Sequence, residues 1–113
     1  MNSRSILDKQ YVGLGYIGDE RLRPIIDVIS LENKRFFKIK ADAFQDFNSL
    51  FKVNLSNNEI EEIEANVFAD LPKLTRVRLG DNRLKRILAS TFKRLPEFKM
   101  LYLEYNCIII VLY

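Results

Sequence analysis

Apolar positions recur along this chain every 24 residues. VNLSNNEIEEIEANVF (53–68) and VRLGDNRLKRILASTF (77–92) superpose without a gap. Extending both ways defines four blocks that start at Ile26, Leu50, Leu74 and Phe98, the last ending at Tyr113. Position 4 of the blocks is Ile29, Val53, Val77 or Leu101, and position 6 is Leu31, Leu55, Leu79 or Leu103. Position 11 holds Phe36, Ile60, Leu84 and Ile108, and position 14 holds Ile39, Ile63, Ile87 and Val111. Three more apolar columns follow: Ala41, Ala65 and Ala89, then Phe44, Phe68 and Phe92, then Phe47, Leu71 and Leu95.

Apolar residues at positions 4 and 6 predict a short strand in each block with both side chains on one face, since successive residues of a strand point to opposite sides. A repeat of this length cannot bury its apolar face alone, so the blocks must stack and their strands form a parallel sheet. The later apolar positions return the chain along the opposite, convex side, where the phenylalanines make an aromatic spine. Asn58, Asn82 and Asn106 fall at position 9, where the chain leaves the strand. A carboxamide both donates and accepts, so each can satisfy backbone groups of adjacent turns.

The pattern L-x-x-L-x-L-x-x-N-x-L-x-x-I-x-x-x-x-F-x-x-L over residues 26–113 resembles leucine-rich repeats of the 24-residue typical kind, found in extracellular receptors and matrix proteins such as Toll and Slit relatives. The resemblance implies an α/β leucine-rich-repeat solenoid of about four repeats (26–49, 50–73, 74–97 and a partial 98–113). Parallel strands would lie on the concave side, with loops and short helical turns on the convex side. Residues 1–25 would be a non-repeat N-terminal cover, because an array must shield its exposed end. The first block departs from the pattern: Lys34 stands where asparagine is expected, with Asn33 just before it. The resemblance also implies a protein-interaction module without enzymatic activity, outside the cell or at its surface.

Charge refines the register. Stacking aligns Arg35, Glu59 and Arg83 in one column and Lys38, Glu62 and Arg86 in another, each alternating in sign between turns about 5 Å apart. In bulk, 48% hydrophobic and 29% charged residues among 113 describe one folded domain. A net charge of +3 is only mildly basic, short of what a nucleic-acid-binding composition requires. The chain has no histidine and one cysteine, Cys107. It therefore lacks the commonest general base and metal ligand, an internal disulfide and a cysteine-based zinc site. Asp8, Lys9 and Gln10 interrupt any secretory h-region, and the longest apolar run, CIIIVLY (107–113), falls short of the ~20 residues that span a bilayer. Extracellular relatives carry signals and cysteine-rich caps that this sequence lacks. Its uncharged C-terminal segment reads as an open edge, expected of a piece of a longer repeat protein or of a chain that completes itself by self-association.

One competing motif is GLGYIG at 13–18, which spells the G-x-G-x-x-G of a dinucleotide-binding turn. That fingerprint needs a preceding strand and a helix from its last glycine within a βαβ unit. Here Pro24 follows within two turns and the repeats begin at Ile26, so the glycines are expected to shape a turn over the first block. No cofactor is implied. Cys107 and Ser56 have no histidine partner, and Glu59, Glu61, Glu62 and Glu64 read as a solvated charge run rather than a metal site.

Function is expected on the outward side chains of the strands. Phe51, Lys52, Asn54, Arg76, Arg78, Lys99, Met100, Tyr102 and Tyr105 are the candidate contact residues. Lys52, Arg76, Arg78 and Lys99 make a basic strip, and Glu32, Asp81 and Glu104 make an acidic margin. Phe51, Met100, Tyr102 and Tyr105 add the amphipathic area that interface hot spots favour. The expected partner is a protein with an acidic patch; a sulfated glycan, or a matrix role, is the alternative use of the same strip, and nucleic acid is the weaker one. Asn54-Leu55-Ser56 spells a glycosylation sequon, which on this face would block binding.

Overall fold

The computed structural model describes residues 5–12, 20–108 and 110–112. Strands β2 (Val28–Ser30), β4 (Lys52–Asn54), β7 (Arg76–Arg78) and β10 (Met100–Tyr102) form one parallel four-stranded sheet in the order β10-β7-β4-β2. Their register is a shift of one block: Ile29, Val53, Val77 and Leu101 are successive partners. Four strands joined by three complete turns make a stack of parallel elements, a solenoid with its regular sheet on the concave side. Helical structure among the described residues is confined to short pieces, chiefly two 3-10 helices, Glu20–Ile25 and Ala89–Thr91.

A second layer runs down the flank. β1 (Ser5–Leu7), β3 (Phe36–Ile39) and β5 (Glu62–Ile63) form one parallel sheet, and β8 (Arg86–Leu88) pairs with β11 (Ile110–Leu112) in another. On the convex side, β6 (Phe68–Ala69) pairs with β9 (Phe92–Lys93). The core between these layers is the predicted apolar set: Ile29, Leu31, Phe36, Ile39, Leu50, Val53, Leu55, Ile60, Leu74, Val77, Leu79 and Leu84 are buried. Phe44, Phe68, Phe92 and Phe98 stand in a file with centroids 5.3, 5.4 and 5.5 Å apart, so the expected spine gains one more ring.

The asparagine ladder is present at all three turns. Asn82 Oδ1 accepts from Ile60 N at 3.0 Å, while Nδ2 donates to Leu55 O (3.0 Å), Leu79 O (3.1 Å) and Gly80 O (3.1 Å). Asn58 does the same for the turn below, accepting from Lys34 N and Phe36 N and donating to Leu31, Leu55 and Ser56 carbonyls. Asn106 accepts from Leu84 N and donates to the Leu79, Leu103 and Glu104 carbonyls. Each carboxamide thus clamps its own turn to the preceding one.

Three details differ from the plain repeat pattern, and the second corrects an expectation. Ala41, Ala65 and Ala89 are exposed, not core. The buried residues of that convex arc lie two positions later, at Ala43, Val67 and Thr91, and the hydroxyl in that column hid it from a search for apolar repeats. The second charge column is half made: Lys38 pairs with Glu62 at 3.4 Å and with Glu64 at 3.7 Å. Among the described residues no ion pair joins Glu62 to Arg86, because β5 and β8 do not pair and the flank sheet breaks there. The glutamate run is solvated in part, with Glu61 and Glu62 exposed, but it also makes ion pairs. Glu59 bridges Arg35 (2.6 Å) and Arg83 (3.3 Å), and Glu64 accepts from Ala41 N.

The GLGYIG motif lies outside the described residues. The segment after it is the six-residue 3-10 helix Glu20–Ile25, which contains Pro24. Around it, Lys9 N donates to Asp42 Oδ1, Lys40 N to Leu7 O, Ser49 Oγ to Pro24 O, and the Arg23 guanidinium to Lys9 O. Leu7 and Val12 are fully buried, and Tyr11 meets Phe36 edge-on at 4.8 Å. At the other end the apolar columns open to solvent: Phe92, Leu95, Phe98, Leu101, Leu103 and Ile108 are only partly buried.

Two outcomes follow for stability. Asn82→Ala should cost about 3 kcal/mol, because several buried backbone groups lose partners at once, whereas Asn106→Ala in the half-buried last turn should cost about 1 kcal/mol; urea denaturation of both variants measures the difference. Asp70 accepts two hydrogen bonds from the Arg94 guanidinium, which hold its carboxyl below the usual aspartate range. A depressed native pKa adds stability above the unfolded value of about 3.9 and loses it as pH falls through the native one. A carbon-detected titration should place the Asp70 midpoint below that value, and Arg94→Ala should return it.

Candidate interaction face

The backbone of the concave sheet fixes where each outward side chain stands. Inward residues at positions 4 and 6 are locked in the core, so positions 3 and 5 must face out. Register then lines them into rows across the strands, about 4.8 Å apart. One row is Val28, Lys52, Arg76 and Met100; the next is Ser30, Asn54, Arg78 and Tyr102. Six of the nine candidate residues (Lys52, Asn54, Arg76, Arg78, Met100 and Tyr102) therefore form one contiguous field. Phe51 and Lys99 stand just before their strands, tied by Phe51 N to Asp27 O and Lys99 N to Thr75 O. Tyr105 lies apart, at the turn beyond β10.

Exposure divides these groups. Phe51, Met100 and Tyr105 keep 41%, 42% and 79% of their surface, unusual for large apolar or aromatic side chains in a packed chain. Arg76 and Lys99 are exposed, while Lys52, Asn54, Arg78 and Tyr102 are half-buried. Asn54 is already engaged, donating to Glu32 Oε1 at 2.9 Å and accepting from Ser56 N at 3.0 Å. Its Nδ2 is thereby committed, which disfavours both a partner contact and glycosylation at the sequon.

Two contacts on this face were not anticipated. The Arg78 guanidinium lies over the Tyr102 ring, 4.3 Å from its centroid, and the Tyr102 hydroxyl donates to Met100 Sδ at 3.2 Å. Their one-block spacing placed Arg78 and Tyr102 side by side, and an aromatic next to an arginine in one column was the available signal. The Glu104 carboxylate folds onto Gly80, where a Cβ would meet Oε1 at 2.5 Å, so the acidic margin occupies room that a missing side chain leaves.

Charge pairing differs sharply between faces. On the flank, Arg35–Glu59–Arg83 and Lys38–Glu62 alternate in sign, and on the convex side Asp70 meets Arg94. On the concave face Lys52 and Arg76 are direct register partners of the same sign. Among the described residues, none of Lys52, Arg76, Arg78 and Lys99 forms an ion pair.

Clefts lie elsewhere. One of about 550 Å³ opens at the break between β5 and β8, lined by Glu61, Glu62, Ile63, Glu64, Arg86 and Ile87 among others. A second, of about 400 Å³, lies between convex loops around Phe44 and Val67. Among the described residues no cluster of His, Cys, Asp and Glu could hold a metal ion, and no helix is long and apolar enough to cross a membrane.

Backbone strain marks one candidate. Position 8 of all four blocks has a left-handed backbone: Asn33 (φ 58°), Asn57 (57°), Asp81 (53°) and Tyr105 (59°). Asparagine and aspartate tolerate this region, whereas a tyrosine there is strained. Tyr105→Asn should therefore stabilise the chain by roughly 1 kcal/mol, read as a higher urea midpoint at unchanged slope.

Comparison with known families agrees with the geometry. The leucine rich repeat family profile matches residues 26–84 and 72–112. No curated protein matches the chain.

Proposed function

The chain belongs to the leucine-rich-repeat family, and we propose that it is a non-enzymatic protein-interaction module that grips a protein with an acidic patch. Leucine-rich repeats are in general protein-interaction modules. The finer assignment to Phe51, Lys52, Asn54, Arg76, Arg78, Lys99, Met100, Tyr102 and Tyr105 rests chiefly on one observation: Lys52 and Arg76 stand side by side without a carboxylate. Like charges directly across neighbouring strands are destabilising. A chain that complements its charges on the flank but not here keeps these cations for something outside itself. Asn54, engaged with Glu32, acts in this reading by ordering the margin rather than by touching the partner.

The exposed rings and thioether supply what the cations cannot. Interface energy concentrates in aromatic and arginine side chains that a partner can desolvate, and Arg78 stacked on Tyr102 combines the two. The extracellular or cell-surface setting follows from the resemblance of the repeats to receptor and matrix proteins, and residues 1–25 serve as the cover of the first block, supported by buried Leu7 and Val12. A long sulfated glycan fits less well, because Glu32, Asp81 and Glu104 border the strip.

Capture experiments test this reading. Wild-type protein, Arg76→Glu/Arg78→Glu and a flank control of equal charge change, Lys85→Glu/Arg86→Glu, are immobilised against the same extract. Proteins that bind wild type and the control should be lost from the concave variant. Unchanged capture by that variant would sink the assignment.

A further inference from the structure

We propose that Lys52, Arg76 and Arg78 together hold one tetrahedral oxyanion, carried by the partner protein as a phosphate or sulfate ester, with Tyr102 as the residue that positions Arg78. This deepens the interaction reading above and rests on it.

The three cations stand at neighbouring outward positions of β4 and β7. Lys52 and Arg76 are register partners on neighbouring strands, about 4.8 Å apart. Arg76 and Arg78 are two residues apart on one face of β7, a rise of about 6.6 Å. Arg78 is turned toward Tyr102 on β10, and the Lys52 and Arg76 side chains are long and flexible enough to reach an anion held at its edge. A carboxylate at that point would offer only two oxygens to three cationic donors. A phosphate ester carries about −1.5 to −2 at neutral pH and three strong acceptor oxygens, a closer match to three donors.

Arg78 is the preorganised member. Stacking on Tyr102 at 4.3 Å fixes the guanidinium plane and leaves its N–H edge for two parallel hydrogen bonds, the geometry in which arginine recognises phosphate. The Tyr102 hydroxyl donates to Met100 Sδ at 3.2 Å, a weak bond beside the ring contact that carries the positioning. Less entropy is then lost on binding than for a free arginine.

The surroundings confine the anion to one group. Block one offers uncharged Val28 and Ser30 in the same two rows, and block four offers Met100 and Tyr102. Beyond the strand ends lie Glu32, Asp81 and Glu104. The remaining side, just before the strands, carries the exposed Phe51 ring, suited to pack the organic part of an aryl ester. An extended polyanion would have to cross the acidic margin.

The test titrates isotopically labelled protein with phenyl phosphate, phenyl sulfate and benzoate at pH 7.5 and constant ionic strength, following the arginine Nε–Hε signals. One of the two esters should shift Arg76 and Arg78 saturably, at least tenfold more tightly than benzoate. Lys52→Ala and Arg78→Ala should each weaken it severalfold with the amide spectrum otherwise unchanged. Tyr102→Leu should weaken it and broaden the Arg78 signal, while Tyr102→Phe should retain both affinity and sharpness. The tighter ester names the modification. Lowering the pH to 5 should weaken phenyl phosphate, whose second pKa is near 6, and leave phenyl sulfate unaffected.

Equal affinity for benzoate and both esters overturns the oxyanion assignment. So does a heparin oligosaccharide that outcompetes them with a steep salt dependence, which would assign a polyanion instead. These failures are separable from failure of the interaction reading: that one shows as partner capture unaffected by Arg76→Glu/Arg78→Glu, whatever the small anions do.

Discussion

A carboxamide at the bend of the second, third and fourth blocks holds the register on which everything else in this molecule depends. Where the chain leaves a strand, backbone donors and acceptors are sealed from water without a ladder to join, and leaving them unpaired would cost more than most single contacts return. Asn58, Asn82 and Asn106 meet that demand across two turns at once, taking carbonyls from their own block and the one before, and receiving N–H groups from the preceding block. A slip of one residue would break these bonds together. The 24-residue period is therefore not merely a repeat of composition; it is enforced by hydrogen bonds that only one alignment satisfies.

Once the register is fixed, columns become physical objects. Phenylalanines one block apart must stack, and they do so from Phe44 through Phe68 to Phe92. Charges one block apart must either complement or repel, and the flank resolves this by alternation at Arg35, Glu59 and Arg83. The backbone itself repeats: left-handed residues recur at 33, 57, 81 and 105. Three of those four are residues that accept the conformation readily. Tyr105 does not, and strain retained on an exposed aromatic is more readily explained by what the ring does than by what the backbone needs.

Much of this was legible in the primary structure because a solenoid writes its contacts at constant spacing. The strands, the inward columns, the asparagine ladder and the spine all followed from one period. What escaped reading lay where spacing and contact part company. Leu7 fills the column of Ile39, 32 residues later, because an insertion before the first block breaks the count. Thr91 is buried in a column with Ala43 and Val67, which no search for apolar letters would align. The three alanines form an apolar column by identity, yet alanine is small enough to sit exposed at little cost. The break between β5 and β8 removed the Glu62–Arg86 contact although both residues keep their positions. On the candidate face, spacing placed Arg78 beside Tyr102 but could not say that the guanidinium would lie over the ring, nor that Asn54 would be taken by Glu32.

The concave face breaks the alternation rule, and the scaffold explains why it can. Repulsion between Lys52 and Arg76 is a fraction of a kcal/mol to about 1 kcal/mol in a solvated sheet, small beside the burial of the two core columns beneath it. Those columns and the asparagine clamps set the backbone irrespective of what points outward, so the outward positions are released from structural duty. In the flank the same freedom was used to complement charges. Here it was used to gather three cations, stack one of them on tyrosine, and leave a phenylalanine exposed at the border. Gathering the cations and exposing the ring are unfavourable or neutral for the isolated chain, and in the proposed reading both become favourable when an anion with an apolar neighbour is placed over β4 and β7. Local departures from self-consistency that share one location, and that one ligand would relieve together, mark a site more firmly than any single residue in it.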